Sequence, residues 1–194
     1  MRRRYSESVT QRQSLPLLWL LSDARNDAGL EAALRALPQG SGFVFRHYHL
    51  DPEARRERFD ELSALAQSLG HCVILAGEGG WAADGSYGPA GHAGAGLRLL
   101  TAHDGDELQA AVADGADGIF LSPVFPTASH PETETLGVHG FHVLAQQSPV
   151  PVIALGGMTH ERARELDWPR WGAIDGLGSK PTEGRQGRPP ARSD

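Results

Sequence analysis

The sequence predicts an α/β protein, a compact (β/α)8 TIM barrel, on three observations. Short apolar runs alternate with helical stretches along the chain. Most of the runs are predominantly apolar, which is the pattern of parallel strands covered on both faces. Glycine or proline punctuates the joints, with 24 and 13 of them in 194 residues, so the chain reverses direction often. Seven or eight such units can be read, and eight close into a barrel. Fewer would leave an open doubly wound sheet, but no G-x-G-x-x-G follows the first run.

The elements follow in order. Leu17 to Leu21 is the first strand and Leu30 to Leu37 a short helix. Gly42 to His47 is the second strand. Pro52 to Leu69 is the clearest helix, with Asp51 as cap, Pro52 in its first turn, Phe59, Leu62, Leu65, Ala66 and Leu69 on one face, and Gly70 as stop. Cys72 to Ala76 is the third strand, and the fourth is degraded, at Gly85 to Tyr87. Leu97 to Thr101 is the fifth; Asp104 and Glu107 then open a helix that Gly115 closes. Gly118 to Ser122 is the sixth strand, with a helix at Val138 to Gln147. Pro151 to Leu155 is the seventh, followed by a helix that Thr159 caps and that runs to about Leu166, and Gly172 to Leu177 the eighth. The barrel is expected at 15–179, between a loose leader at 1–14 and a disordered polar tail at 180–194.

Composition narrows the function. A net charge of −6 argues against nucleic acid as a partner, because phosphate backbones attract excess Lys and Arg. No run approaches the length of about 18 apolar residues that a membrane span needs, so no membrane partner is expected. The one cysteine, Cys72, excludes an internal disulfide, fits a cytoplasmic location, and reads as a small hydrophobe within an apolar run.

Chemistry in such barrels collects at the C-terminal ends of the strands. There the run Ile153 to Leu155 ends in Gly156-Gly157 before a helix begins. Glycines let an oxyanion approach the backbone, and the first helical N–H groups point at it. A tight turn explains the same two glycines equally well. Past the sixth strand, prolines 123 and 126 stiffen a loop carrying Thr127, Ser129 and His130, two hydroxyls and an imidazole suited to phosphate. The bland alternative is an ordinary Ser/Thr turn. Arg46, at the end of the second strand, is an anion contact, with Tyr48 on its face and His47 and His49 on the other. The His-x-His pair lacks a third metal ligand. Thr101 and His103 stand at the end of the fifth strand.

Several of these pieces occur together in one family. Leu99-Leu100-Thr101-Ala102-His103 with Glu107, Gly115-Ala116-Asp117-Gly118, Ser122-Pro123-Val124-Phe125-Pro126-Thr127, Leu136-Gly137 and Pro151 to Gly157 follow its order and spacing. This stretch, about a third of the chain, resembles thiamine phosphate synthase and its relative, the thiazole tautomerase. The resemblance implies a cytoplasmic enzyme, a transferase of thiamine biosynthesis that acts on small phosphorylated substrates. It would join hydroxymethylpyrimidine diphosphate to thiazole phosphate with Mg²⁺, giving thiamine phosphate and pyrophosphate. It also implies that Thr101, Thr127 and Ser129 contact the diphosphate, with Arg46 neutralising it; His103, at the same strand end as Thr101, is a further substrate-contact candidate or a loop cap. Gly156 and Gly157 would hold the thiazole phosphate. His130 stands where the family has a lysine and completes the catalytic set. Departures from the pattern are equally visible. After the third strand the family's Asn-Asp-Arg is replaced by Ala76-Gly77-Glu78-Gly79, so Glu78 alone could serve the metal there. The family's second metal aspartate has no equivalent near Ser86-Tyr87-Gly88-Pro89, Asp175 falls near the phosphate site, and the tautomerase histidine falls at Pro123. A barrel that binds thiazole or phosphate without catalysis, as sensor or carrier, is the alternative.

Overall fold

A computed structural model describes residues 15–92, 94–127, 134–175 and 177. The expected leader and the expected tail lie outside these residues, as do Ser129 and His130. Eight strands close into one parallel barrel in sequence order: β1 (Leu18–Leu21), β2 (Gly42–Phe45), β3 (Cys72–Ala76), β4 (Gly85–Gly88), β5 (Leu97–Ala102), β6 (Gly118–Leu121), β7 (Val152–Ala154) and β8 (Trp171–Ala173). The seam is the β1–β8 pairing, with Trp19 opposite Gly172.

The apolar runs are explained by two separate cores. Trp19, Leu21, Val44, Ile74, Leu99, Phe120 and Ile153 fill the barrel interior. Their sequence neighbours Leu20, Phe43, Phe45, Val73, Leu100, Ile119 and Val152 point outward and pack in the second core. A strand with an apolar layer on each side loses the two-residue alternation of a half-exposed sheet. The interior is closed by rings packed edge-on, Trp19 on Phe120 at 5.6 Å and Tyr87 on Phe120 at 5.3 Å.

Five helices cover the barrel among the described residues: α1 (Leu30–Ala36), α2 (Pro52–Ser68), α3 (Gly105–Ala113), α4 (Gly137–Ala145) and α5 (His160–Leu166). Caps set where they start. Asp51 accepts the N–H groups of Glu53 and Ala54 at 3.0 Å, and Pro52 costs nothing at the first helical position. Asp104 accepts from Glu107 at 2.9 Å and Thr159 from Arg162 at 3.2 Å.

Among the described residues the connections after β3 and β4 hold no helix, in keeping with the lack of helical periodicity there. Asp84 anchors the first of them by exchanging bonds with the Val73 backbone, both at 2.8 Å. The expected fourth strand is real. Its small residues are held by backbone pairing to β3 and β5, and Tyr87 supplies its inward ring. The second strand is shorter than expected. It stops at Phe45 because His47 adopts a left-handed φ of 39°. The eighth also ends early, at Ala173.

Candidate functional site

A cavity of about 690 Å³ opens at the C-terminal mouth of the barrel. Arg46, His103, Thr127, Gly156 and Gly157 all line it. Thr127 and the double glycine, 30 residues apart in sequence, therefore share one pocket. Thr101 is not among the lining residues, although it shares the inward face of β5 with Leu99.

Two loops form one wall. The segment after β6 runs alongside the segment after β7, with Val124 N–H bonded to the Leu155 carbonyl at 2.9 Å and Phe125 N–H to that of Gly156 at 3.1 Å. Gly156 and Gly157 take φ of 92° and 62°, which disfavours side-chain-bearing residues. A Cβ on Gly157 would lie 2.5 Å from the Pro126 carbonyl oxygen. The Ser122–Pro123 peptide is cis. Arg162, in the first turn of α5, fastens both loops. Its Nη1 donates to the Gly157 carbonyl at 2.6 Å and the Pro126 carbonyl at 3.4 Å, while its guanidinium lies over Phe125 at 5.1 Å.

The lining also holds Arg25, Arg46, Tyr48, Tyr87 and Asp175. Arg46 lies 5.9 Å from the Tyr48 ring and 3.8 Å from the Asp23 carboxylate. Arg25 bridges Asp23 at 2.9 Å and Asp175 at 3.5 Å, so the carboxylate that falls near the expected phosphate site faces a cation. Burial pushes the Asp23 carboxyl up, but bonding to Arg25 and the charges of Arg25 and Arg46 outweigh it and hold the group below its ordinary range. Burial raises the Tyr87 phenol to about 12, so it remains a hydroxyl donor at neutral pH. His103 is fixed by Glu107, which accepts from the His103 backbone at 2.9 Å and meets Nδ1 at 2.8 Å.

Some expected residues lie elsewhere. Glu78 is exposed and outside the cavity lining; only its carbonyl is engaged, by Arg55. The chain turns away after Ala76 through Gly77 at φ 74°, which carries Glu78 off the inward face. Among the described residues no three metal-ligating side chains cluster. The carboxylates beside the cavity, Asp23 and Asp175, are both tied to guanidinium groups. Mg²⁺ binds through carboxylate oxygens, so this donor set does not fit it. Burial pushes the Cys72 thiol to about 12, with the Asp84 charge adding to it, which keeps it a protonated hydrophobe. Among the described residues no helix is long and apolar enough to cross a membrane.

Arg25 and Arg162 were not legible as site residues. Arg162 carried one signal, a cation in a helix's first turn, where the dipole disfavours it. Arg25 carried none beyond following Asp23.

Part of the chain is similar to known proteins. A family model described as thiamine monophosphate synthase matches residues 99–167. A thiamine-phosphate synthase of Salinibacter ruber is 40% identical over 67 residues, covering 34% of this chain and 30% of that protein. One from Methanococcus vannielii is 33% identical over 66 residues, covering 34% and 32%. The matches thus span about a third of the curated relatives' length. A solved structure, thiamine phosphate pyrophosphorylase from Pyrococcus furiosus, superposes with a TM-score of 0.69 at 19% identity, over 86% of this chain and 89% of the other, and shares the barrel fold. The matched segment holds β6, β7 and the two loops that wall the cavity, and over it this chain is similar to the thiamine monophosphate synthase family.

Proposed function

We propose that the chain is a thiamine phosphate synthase-like transferase, joining hydroxymethylpyrimidine diphosphate to thiazole phosphate. The observation that carries this reading is the convergence of Arg46, Thr127, Gly156 and Gly157 on one cavity, with Thr127 and both glycines inside the segment that matches the family.

In the reaction the bond between the pyrimidine methylene carbon and the diphosphate oxygen breaks, and its electron pair leaves with pyrophosphate. The thiazole nitrogen lone pair then forms the new carbon–nitrogen bond. The chain has little covalent work to do; its task is to stabilise charge on the departing oxygens. Arg46 offers a guanidinium and Thr127 a hydroxyl to the same cavity, with Ser129 expected to add a second hydroxyl. The Gly156-Gly157 turn leaves room for the thiazole phosphate against the backbone. Tyr87 and Tyr48 give the cavity aromatic surface for the two heterocycles.

The test is incubation of the purified protein with both substrates, with and without Mg²⁺, reading thiamine phosphate directly. Its appearance supports the reading, and its absence under every condition overturns it. A second reading keeps ligand binding without turnover. The position of Glu78 outside the cavity favours it. Thiazole phosphate would then bind while no thiamine phosphate forms.

A further inference from the structure

A diphosphate needs its charge balanced before it can leave, and either a divalent cation or several guanidinium groups can do this. The carboxylates at this cavity are already committed to arginines, whereas three arginines face the space. Arg25 comes from the connection after β1, Arg46 from the end of β2, and Arg162 from the first turn of α5.

Arg162 is built into the wall. Two backbone carbonyls hold its Nη1, and these belong to the two loops that carry Thr127 and the double glycine. It therefore stands at the glycine turn with its remaining N–H groups available for an anion. Arg46 is held loosely by comparison. Its contact with Asp23 is 3.8 Å long, and its Nε is buried with no hydrogen-bond partner among the described residues. A buried donor without an acceptor is costly to keep, and an anionic oxygen arriving beside it would satisfy it. Three guanidinium groups against Asp23 and Asp175 leave the mouth of the barrel net positive in a chain whose total charge is −6.

We propose that this cavity neutralises the diphosphate of its substrate with arginine, chiefly Arg46 and Arg162, and needs no Mg²⁺ to bind it. The ligand class rests on the synthase-like reading above; the arginine assignment rests on the geometry. Arg162 would act on the anion directly, beyond its role in tying the two loops together.

Calorimetry with inorganic pyrophosphate tests this. In EDTA the wild-type protein should bind, and excess Mg²⁺ should leave the affinity unchanged or weaken it by complexing the free ligand. Arg162→Gln and Arg46→Gln should each weaken binding tenfold or more. Arg162→Lys, which keeps the charge and loses the fork, should retain part of the affinity. Thermal unfolding of each variant separates lost ligand contacts from lost folding. Binding that appears only with Mg²⁺, that tightens tenfold on its addition, or that is absent in both conditions overturns the proposal. So does an Arg162→Gln protein that is folded and binds normally. The two readings fail separately. Arginine-dependent binding in EDTA without thiamine phosphate formation removes the synthase and keeps this site, while Mg²⁺-dependent binding with turnover does the reverse.

Discussion

The hydroxyl of Ser22 lies 2.7 Å from Nδ1 of His47, and both side chains are fully buried. Ser22 also accepts the Arg46 backbone N–H at 2.8 Å, while Nε2 of His47 stands 3.0 Å from the Asp27 carboxylate. Arg58 of α2 grips that same carboxylate at 2.8 and 2.9 Å. A chain of bonds thus runs from α2 to the backbone of Arg46. Burial depresses the His47 pKa, and the Asp27 charge offsets this only in part. The ring is therefore neutral, accepting from Ser22 at Nδ1 and donating from Nε2 to Asp27. Serine, histidine and aspartate in this order suggest a nucleophile, but a fully buried Ser22 meets no substrate. What the arrangement does is fix where Arg46 leaves the strand. His47 keeps its left-handed backbone for this, stacked on Phe45 at 4.6 Å.

Replacing His47 with Asn should lower pyrophosphate affinity several-fold through misplacement of Arg46. It should also destabilise the fold by about 1–3 kcal/mol, because buried polar partners lose their bonds. The pH dependence has a definite sign. The folded pKa of His47 lies below its ordinary 6.5, so below pH 6.5 the unfolded chain takes up more protons. Its contribution to stability is complete above that pH and fades as pH falls through 6.5 toward the lowered value. Asp27, facing the ring with Arg58 and His49, is itself held below 3.8, so its own contribution is lost only at lower pH. Urea unfolding between pH 8 and 5 should show a steeper decline for wild type than for His47→Asn. Parallel curves would remove His47 from the account.

Gly157 should tolerate no side chain. Its φ is 62°, and a Cβ would sit 2.5 Å from the Pro126 oxygen, 2.8 Å from Arg162 Nη1 and 2.9 Å from the Phe125 oxygen. Two of these atoms are backbone and cannot yield cheaply. Gly157→Val should abolish thiazole phosphate binding in calorimetry and cost about 1–3 kcal/mol from backbone strain alone. Gly40 is the control: its φ is 78° with no atom within 4 Å, so Gly40→Ala bears strain without collision and should leave binding intact. Normal affinity in Gly157→Val would move the phosphate elsewhere.

How much of this the sequence disclosed follows from the range of the interactions. Most strands are written locally, as predominantly apolar runs whose residues are buried whichever way they point, Leu20 outward and Leu21 inward among them. β4 has one large side chain, and its strand state is imposed by neighbours rather than by propensity. The Gly156-Gly157 turn was legible because glycine reports a backbone requirement directly. Arg162, Arg25 and the Ser22–His47 bond were not, because their partners lie across the fold: Ser22 and His47 are 25 positions apart, and Arg162 meets Pro126 across 36. Glu78 was placed by analogy with a position after β3, and a glycine-rich turn then carried it out of the cavity.

Thr127 lines the cavity on the loop whose hydroxyls were expected to meet the diphosphate. If Thr127 and Ser129 act on charge that develops as pyrophosphate leaves, replacing both with Ala should lower kcat more than it raises KM. Loss of one such donor in other enzymes costs about 100- to 1000-fold in kcat. A rise in KM with kcat unchanged would reassign the pair to holding the ground state.

The barrel floor makes the last test, one of packing. Trp19 is completely buried, donates its indole N–H to the Pro16 carbonyl at 2.9 Å, and lies between two glycines, Gly42 and Gly172, its register partners on either side. A Cβ at Gly42 would fall 2.1 Å from the six-membered ring of the indole, and the edge contact with Phe120 limits where that ring can go. The large residue and the missing one are thus a single design. Gly42→Ala should cost about 1–3 kcal/mol by overpacking, and Trp19→Phe should cost stability by leaving a void. Together they should cost less than the sum, since the smaller ring makes room for the added methyl. Urea unfolding of the four proteins gives the coupling directly, and strictly additive losses would show that the indole and Gly42 do not share that space.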